Sequence, residues 1–257
     1  MRLHFLGVRG STPAPGAEFT RWGGHTSCVA VLPDGYAAPP LVLDAGTGIR
    51  NLAPVPFRGV IALSHLHWDH VQGLPFSRAV DHPEASVELI VPGAQPLALL
   101  TRAFSPPHFP IEPGGLRGAV SVTSSGGSRK YDGFELIQAE VTHKGGTTVG
   151  TRVECDGVAV VYLPDHAPQL GSAAAEELCR DADLIVHDGQ FRPEEQALAD
   201  DYGHASVTDA LAFAERCGAR GLLLTHHAPG RTDDQLDALA KEWPDVRFAR
   251  EGDVVTV

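Results

Sequence analysis

The sequence predicts a layered α/β architecture, two β-sheets with helices on their outer faces, and two observations carry it. Short apolar, β-branched runs come first, and alternation of strand-type and helical patterns follows in the second half. Alternation throughout would instead suggest one doubly wound sheet. The strand-type runs are residues 3–8, 28–32, 41–43, 60–63, 87–91, 134–142, 148–154 and 158–163, bounded by Gly, Pro, Asp or His. Helical spacing of apolar residues appears at 172–180, 207–217 and 233–243, with further strand-type runs at 184–186 and 221–224 between them. The Pro/Gly-rich stretches 12–16 and 105–118 are too short to divide the chain and read as loops over a site. With no linker and no short-period repeat, residues 1–257 read as a single domain.

Composition narrows the function. Hydrophobic residues make up 43% and charged residues 20%, the balance of a chain that buries a core rather than staying disordered. A formal net charge of −12 opposes capture of a polyanion, since nucleic-acid binders gain affinity by exchanging counterions for Lys and Arg. Nucleic acid is therefore not the expected partner; a small anionic substrate fits if metals supply the positive charge. Cys28, Cys155, Cys179 and Cys217 are far apart and form no CxxC pair, so they read as reduced, buried thiols. The N-terminus enters a strand-type run without a basic, apolar leader, and no stretch approaches the ~18–20 apolar residues of a membrane span. The expected location is cytoplasmic.

Of the 13 histidines, placement says more than number. His65, His67 and His70, with Asp69, follow the run 60–63; His143 follows 134–142; Asp165 follows 158–163; Asp188 follows 184–186; His226 follows 221–224. Side chains leaving strand ends can converge on one edge of a sheet, where layered α/β proteins hold their ligands. In His65-Leu66-His67-Trp68-Asp69-His70, imidazoles two residues apart face the same way from an extended segment. Asp69 and His70 open the next helix and face back, which suits two adjacent metals.

This HxHxDH string, with later ligand-type residues at strand ends, resembles the metallo-β-lactamase fold superfamily over nearly the whole chain. The resemblance implies an αββα sandwich of two mixed sheets and a binuclear site. One metal would be held by His65, His67 and His143, the other by Asp69, His70 and His226, with Asp165 bridging. His227 is the rival for the last position; His226 is preferred because it comes first after the apolar run, as in the family's pattern. Asp at position 165 and the Asp69–His70 pairing look like the phosphodiesterase branch, which includes ribonuclease Z and small cyclic-phosphate phosphodiesterases, and make a lactam substrate unlikely. His187-Asp188-Gly189-Gln190 resembles the HEAT segment of ribonuclease Z, and Gly203-His204-Ala205-Ser206 its later GHxS segment. Carried over, Asp188 would orient His204, which would act near the leaving group. Residues 7–13, 23–28 and 43–48 also look like this branch, with glycines that serve turns and Asp44 as a turn residue or a support to a ligand. Ser105-Pro106-Pro107-His108-Phe109-Pro110 resembles a substrate-side loop, which makes His108 a substrate-contact candidate.

The expected chemistry is hydrolysis. Two divalent ions about 3.5–4 Å apart lower the pKa of a shared water to near neutrality and bind phosphate oxygens. Asp69 would accept a hydrogen bond from the resulting hydroxide, and His204 would protonate the departing alkoxide. Zinc suits the ligand types best, with manganese or iron as alternatives. The first expectation is a phosphodiesterase acting on a small or cyclic phosphodiester. The alternatives are transfer-RNA 3′ processing, thioester or lactone hydrolysis, and a metal-binding sensor without turnover. Ribonuclease Z inserts a long RNA-gripping arm before the bridging Asp, whereas here only the 21 residues 144–164 separate His143 from Asp165, filled by two strand-type runs. Relatives in this branch are commonly dimers, so a homodimer is a further expectation.

Overall fold

The computed structural model describes residues 1–171 and 173–257. Ser172, which the helical spacing 172–180 includes, lies outside the described residues. Among the described residues, fourteen strands form two seven-stranded sheets. The first sheet takes β1 (Arg2–Gly7), β2 (Cys28–Leu32), β3 (Leu41–Leu43), β4 (Arg58–Ala62), β5 (Ser86–Val91) and β6 (Ala119–Ser124). The second takes β7 (Gly127–Tyr131), β8 (Phe134–Glu140), β9 (Val149–Cys155), β10 (Val158–Leu163), β11 (Leu184–Asp188), β12 (Leu222–Thr225) and β13 (Arg247–Phe248). The last strand, β14 (Val254–Thr256), returns to pair antiparallel with β1. Both sheets are mixed: β3 to β6 run parallel in the first, and β10 to β13 run parallel in the second.

Helices α1 (Trp68–Val71) and α2 (Pro96–Ala103) accompany the first sheet, and α3 (Ala173–Cys179), α4 (Gln196–Tyr202), α5 (Val207–Arg216) and α6 (Asp233–Glu242) the second. Because strand side chains alternate between faces, neighbours serve different cores. Val60 joins Phe5, Val31 and Leu41 against Leu136, Val160 and Val186 between the sheets, whereas Ile61 packs outward with Leu74, Leu100 and Phe104. Val161 and Ile185 likewise turn out to meet Ala175, Leu178 and Phe213. The result is the αββα sandwich. Strands buried on both faces, such as β10 with Val158-Ala159-Val160-Val161-Tyr162-Leu163, read as continuous apolar runs.

The expected runs leave out β6, β7, β13, β14, α2 and α4, several of which are edge or surface elements with polar sequences. β6 and β7 are edge strands with exposed or half-buried residues throughout, and α4 buries only Ala199. Strands that match an expected run begin and end within two residues of it, and β11 extends past its run 184–186 to end at Asp188.

Candidate metal centre

Parallel strands deliver their C-terminal ends to the same edge, and that is where the candidate residues meet. His65 to His70 leave β4 and form the single turn α1, whose N-cap is His67. His143 sits in the turn between β8 and β9, Asp165 follows β10, Asp188 ends β11 and His226 follows β12 directly. Among the described residues, three groups of potential ligand atoms result: His65, His67, His143 and Asp165; Asp69, His70, Asp165 and His226; and Asp188, His204 and His226.

In the first group, Asp165 Oδ2 lies 3.5 Å from both His65 Nε2 and His143 Nε2, and His143 Nε2 lies 3.4 Å from His67 Nδ1. In the second, His70 Nε2 and His226 Nε2 each lie 3.1 Å from both Asp69 Oδ2 and Asp165 Oδ1. Ligands bonded tetrahedrally to one ion at about 2.0–2.1 Å stand about 3.3 Å from each other, so these spacings fit two cations. Hydrogen bonding does not account for the arrangement: among the described residues, His65 Nε2, His70 Nε2 and Asp165 Oδ1 are buried without a hydrogen-bond partner. The donor set, imidazole nitrogens and carboxylate oxygens, is that of divalent transition metals.

Electrostatics agree. Burial pushes the His65 pKa well below its usual value, with His70 adding to the effect, so the ring is neutral and can ligate. Burial acts in the same direction on His70, yet Asp69, Asp165 and Asp44 raise it well above the usual value. That pocket of carboxylates demands positive charge. Burial also opposes ionisation of Asp69, but His70 and His226 hold its carboxyl well below the usual range.

Other residues fix the rings. Asp44 Oδ2 lies 2.8 Å from His70 Nδ1, and its carboxylate accepts bonds from the amide and hydroxyl of Ser64 at 2.7 and 2.9 Å. The Ser64 hydroxyl is 3.0 Å from His65 Nδ1, and His143 Nδ1 donates to the Gly203 carbonyl at 2.6 Å. Each bond leaves the opposite nitrogen facing the centre. The Ser11 amide donates to Asp69 Oδ2 at 2.7 Å. Ser11, Asp44 and His226 all adopt left-handed backbone, with φ of 62°, 61° and 60°, strain of about 1–3 kcal/mol each that surrounding contacts must hold. Gly10 is required by proximity, since a Cβ there would stand 2.4 Å from the His226 ring. The partners Ser64, Ser11 and Gly203 carry no periodic signal; only the position of Ser64 beside His65 hints at its use.

The structure brings His204 and Asp188 together, Nδ1 to Oδ2 at 2.7 Å, with Asp165 Oδ2 at 3.9 Å. Burial opposes protonation of His204, but Asp188 outweighs it and the pKa rises to about 9. His204 does not cap a helix: the N-cap of α5 is Ser206, in a capping box with Asp209. Behind Asp188, His187 Nδ1 donates to the Asp188 carbonyl at 2.8 Å, leaving His187 Nε2 to accept from His166 Nδ1 at 2.9 Å. His227 faces away from the centre, donating through Nε2 to the Ala249 carbonyl at 2.8 Å beside Trp22. His108 is exposed and belongs to none of the three groups; it lines a cavity of ≈ 220 Å³ with Trp68, Phe76, Phe104 and Phe109.

A ribonuclease Z of Geobacillus kaustophilus (strain HTA426) is 55% identical over 53 residues, which span 21% of this chain but only 17% of that relative. A ribonuclease Z of Archaeoglobus fulgidus is 25% identical over 281 aligned positions, covering 88% of this chain and 86% of its own. The crystal structure of a new diphosphatase from the PhnP family superposes with a TM-score of 0.76 at 18% identity, over 100% of this chain and 97% of that one, a likeness of fold. The model of the beta-lactamase superfamily domain matches residues 41–227, the greater part of the chain and the part that holds all seven residues of the two four-residue groups. The chain belongs to the beta-lactamase superfamily, in its metallo-β-lactamase fold.

Proposed function

We propose that the chain is a metal-dependent phosphodiesterase acting on a small or cyclic phosphodiester. One cation would be held by His65, His67 and His143, the other by Asp69, His70 and His226, with Asp165 available to both. The observation that carries this reading is the disposition of Asp165: Oδ2 faces His65 and His143, while Oδ1 faces His70 and His226. Divalent ions bound there would supply Lewis-acid charge to phosphoryl oxygens and acidify a water to near neutrality. Zinc suits this donor set, and manganese or iron accept the same atoms.

The chain's own residues do the rest. Asp69, anchored by the Ser11 amide, orients the attacking water by accepting its hydrogen bond. His204, with its pKa of about 9, is protonated at neutral pH. Since Nδ1 is engaged by Asp188, Nε2 is the atom that gives its proton to the departing alkoxide as the P–O bond breaks. His108 stands ready as a substrate contact at the rim of the aromatic cavity.

Hydrolysis of bis-para-nitrophenyl phosphate, abolished by chelation and restored by zinc, is the expected result. A metal-loaded chain inert toward it, toward cyclic mononucleotides and toward cyclic ribose phosphates overturns the reading. Transfer-RNA 3′ processing is the second reading, favoured by relatives named ribonuclease Z. Against it stand the net charge of −12 and the segment 144–164, whose strands are β9 and β10 of the sheet itself. Cleavage of a transfer-RNA precursor with the cyclic diesters untouched would reverse the order.

A further inference from the structure

Beside the first ligand group lies a cleft of ≈ 520 Å³, a size suited to a small-molecule group. His65 and His67 line it together with Trp68, Arg102 and Thr148. We propose that this cleft receives one arm of the diester and selects an arm bearing a second anionic group, which Arg102 reads. The inference rests on the diesterase reading above and adds the substrate class to it.

Four observations lead there. Two candidate ligands form one wall, so a group esterified to phosphorus at the centre extends directly into the cleft. The chain carries 32 acidic residues against 20 basic ones, yet no Asp or Glu is among the described residues lining this cleft. Cavities of similar size elsewhere are lined by Glu135, Glu154 and Asp183, by Glu88, or by Glu251. Arg102, exposed in the last turn of α2, is the one fixed charge among the described residues lining the cleft, and a guanidinium fork matches phosphate or carboxylate oxygens in pairs. Thr148, only 1% exposed, has a hydroxyl with no hydrogen-bond partner among the described residues, an unsatisfied polar group bordering the cleft.

The cleft's shape is kept open by Gly145, where φ is +100° and a Cβ would stand 2.7 Å from His67 Nε2. Leu99 and the 72%-exposed Trp68 give the remaining wall an apolar surface. The arm that fits is short and weakly polar next to the phosphorus and anionic at its far end.

The test compares two esters with the same scissile bond and the same leaving group: ethyl para-nitrophenyl phosphate and 2-phosphonoethyl para-nitrophenyl phosphate. The zinc-loaded chain is expected to favour the phosphonoethyl ester in kcat/KM by about 10-fold, the lower end of what a charge-assisted hydrogen-bond pair supplies. Arg102→Met is expected to erase that preference while leaving the ethyl ester within about twofold, and Arg102→Lys to keep part of it, as a point charge replaces the fork. No preference in the unmodified chain, or equal loss on both esters in Arg102→Met, overturns the proposal. If neither ester is cleaved, the diesterase reading falls and the cleft is judged by calorimetric binding of the phosphonoethyl ester. Binding about 10-fold weaker in Arg102→Met then supports the cleft, and equal affinity or no binding overturns it.

Discussion

His204 owes its proposed chemistry to one carboxylate, Asp188 at 2.7 Å, and that dependence separates proton transfer from metal binding. His204→Ala is expected to leave metal content unchanged and to slow an alkoxide leaving group, such as the ribose of a cyclic nucleotide, by roughly 10²–10⁴-fold. A para-nitrophenolate leaving group, which needs little protonation, suffers much less, and Asp188→Asn shows a weaker version of the same selectivity. Equal losses on the two leaving groups, with metal content verified, remove His204 from the proton-transfer role. Asp44 acts differently, holding His70 from behind through Nδ1. Asp44→Ala is expected to weaken metal binding by about 10–100-fold, read by titration against a competing chelator. Unchanged affinity would make Asp44 a turn residue only. Of these residues, the string from His65 to His70 was legible because its spacing alone brings ligands together. Ser64, Ser11 and Gly203 were not, because a hydroxyl, an amide and a carbonyl acquire their roles only from what stands opposite them.

At the scale of elements, the same segment that carries His204 starts α5, so the start of the helix and the function must be separable. Ser206, not His204, caps α5, its hydroxyl accepting from the Asp209 amide at 3.2 Å. Ser206→Ala is expected to lower stability by about 1 kcal/mol, measured by urea unfolding of the metal-loaded chain, with leaving-group selectivity unchanged. A shift in selectivity without loss of stability would tie Ser206 to the reaction instead. Gly203, with φ of +76°, ends α4 in the left-handed conformation that turns its carbonyl to His143. The strands β4 and β10 to β12 were readable from apolar runs because they are buried. β6, β7 and α4 were not, because edge and surface elements keep polar sequences that resemble loops.

At the scale of the whole molecule, the candidate centre joins the two sheets. His65 and His70 follow β4 in the first, and Asp165 follows β10 in the second, with contacts of 3.5 and 3.1 Å between them. Asp165→Ala is therefore expected to reduce metal content from close to two ions per chain toward none, measured by elemental analysis of desalted protein; loss of only one ion reassigns the shared carboxylate. Chelation of the unmodified chain is expected to lower its unfolding free energy, by about 4 kcal/mol for each site previously held at a thousand times its Kd. The sequence by itself determined the layered two-sheet class, the buried strands and the identity of the residues delivered to one edge, because periodicity, strand ends and ligand spacing are local properties of a chain. Only the tertiary structure decided which of two adjacent histidines faces the centre. His226 turns inward from a φ of 60° while His227 turns out to Ala249, and sequence order does not encode the direction of a side chain at such a turn. It also decided that Arg102, Thr148 and His67 border one cleft, since residues so far apart in the chain meet only when two sheets pack face to face and bring their loops together at one end.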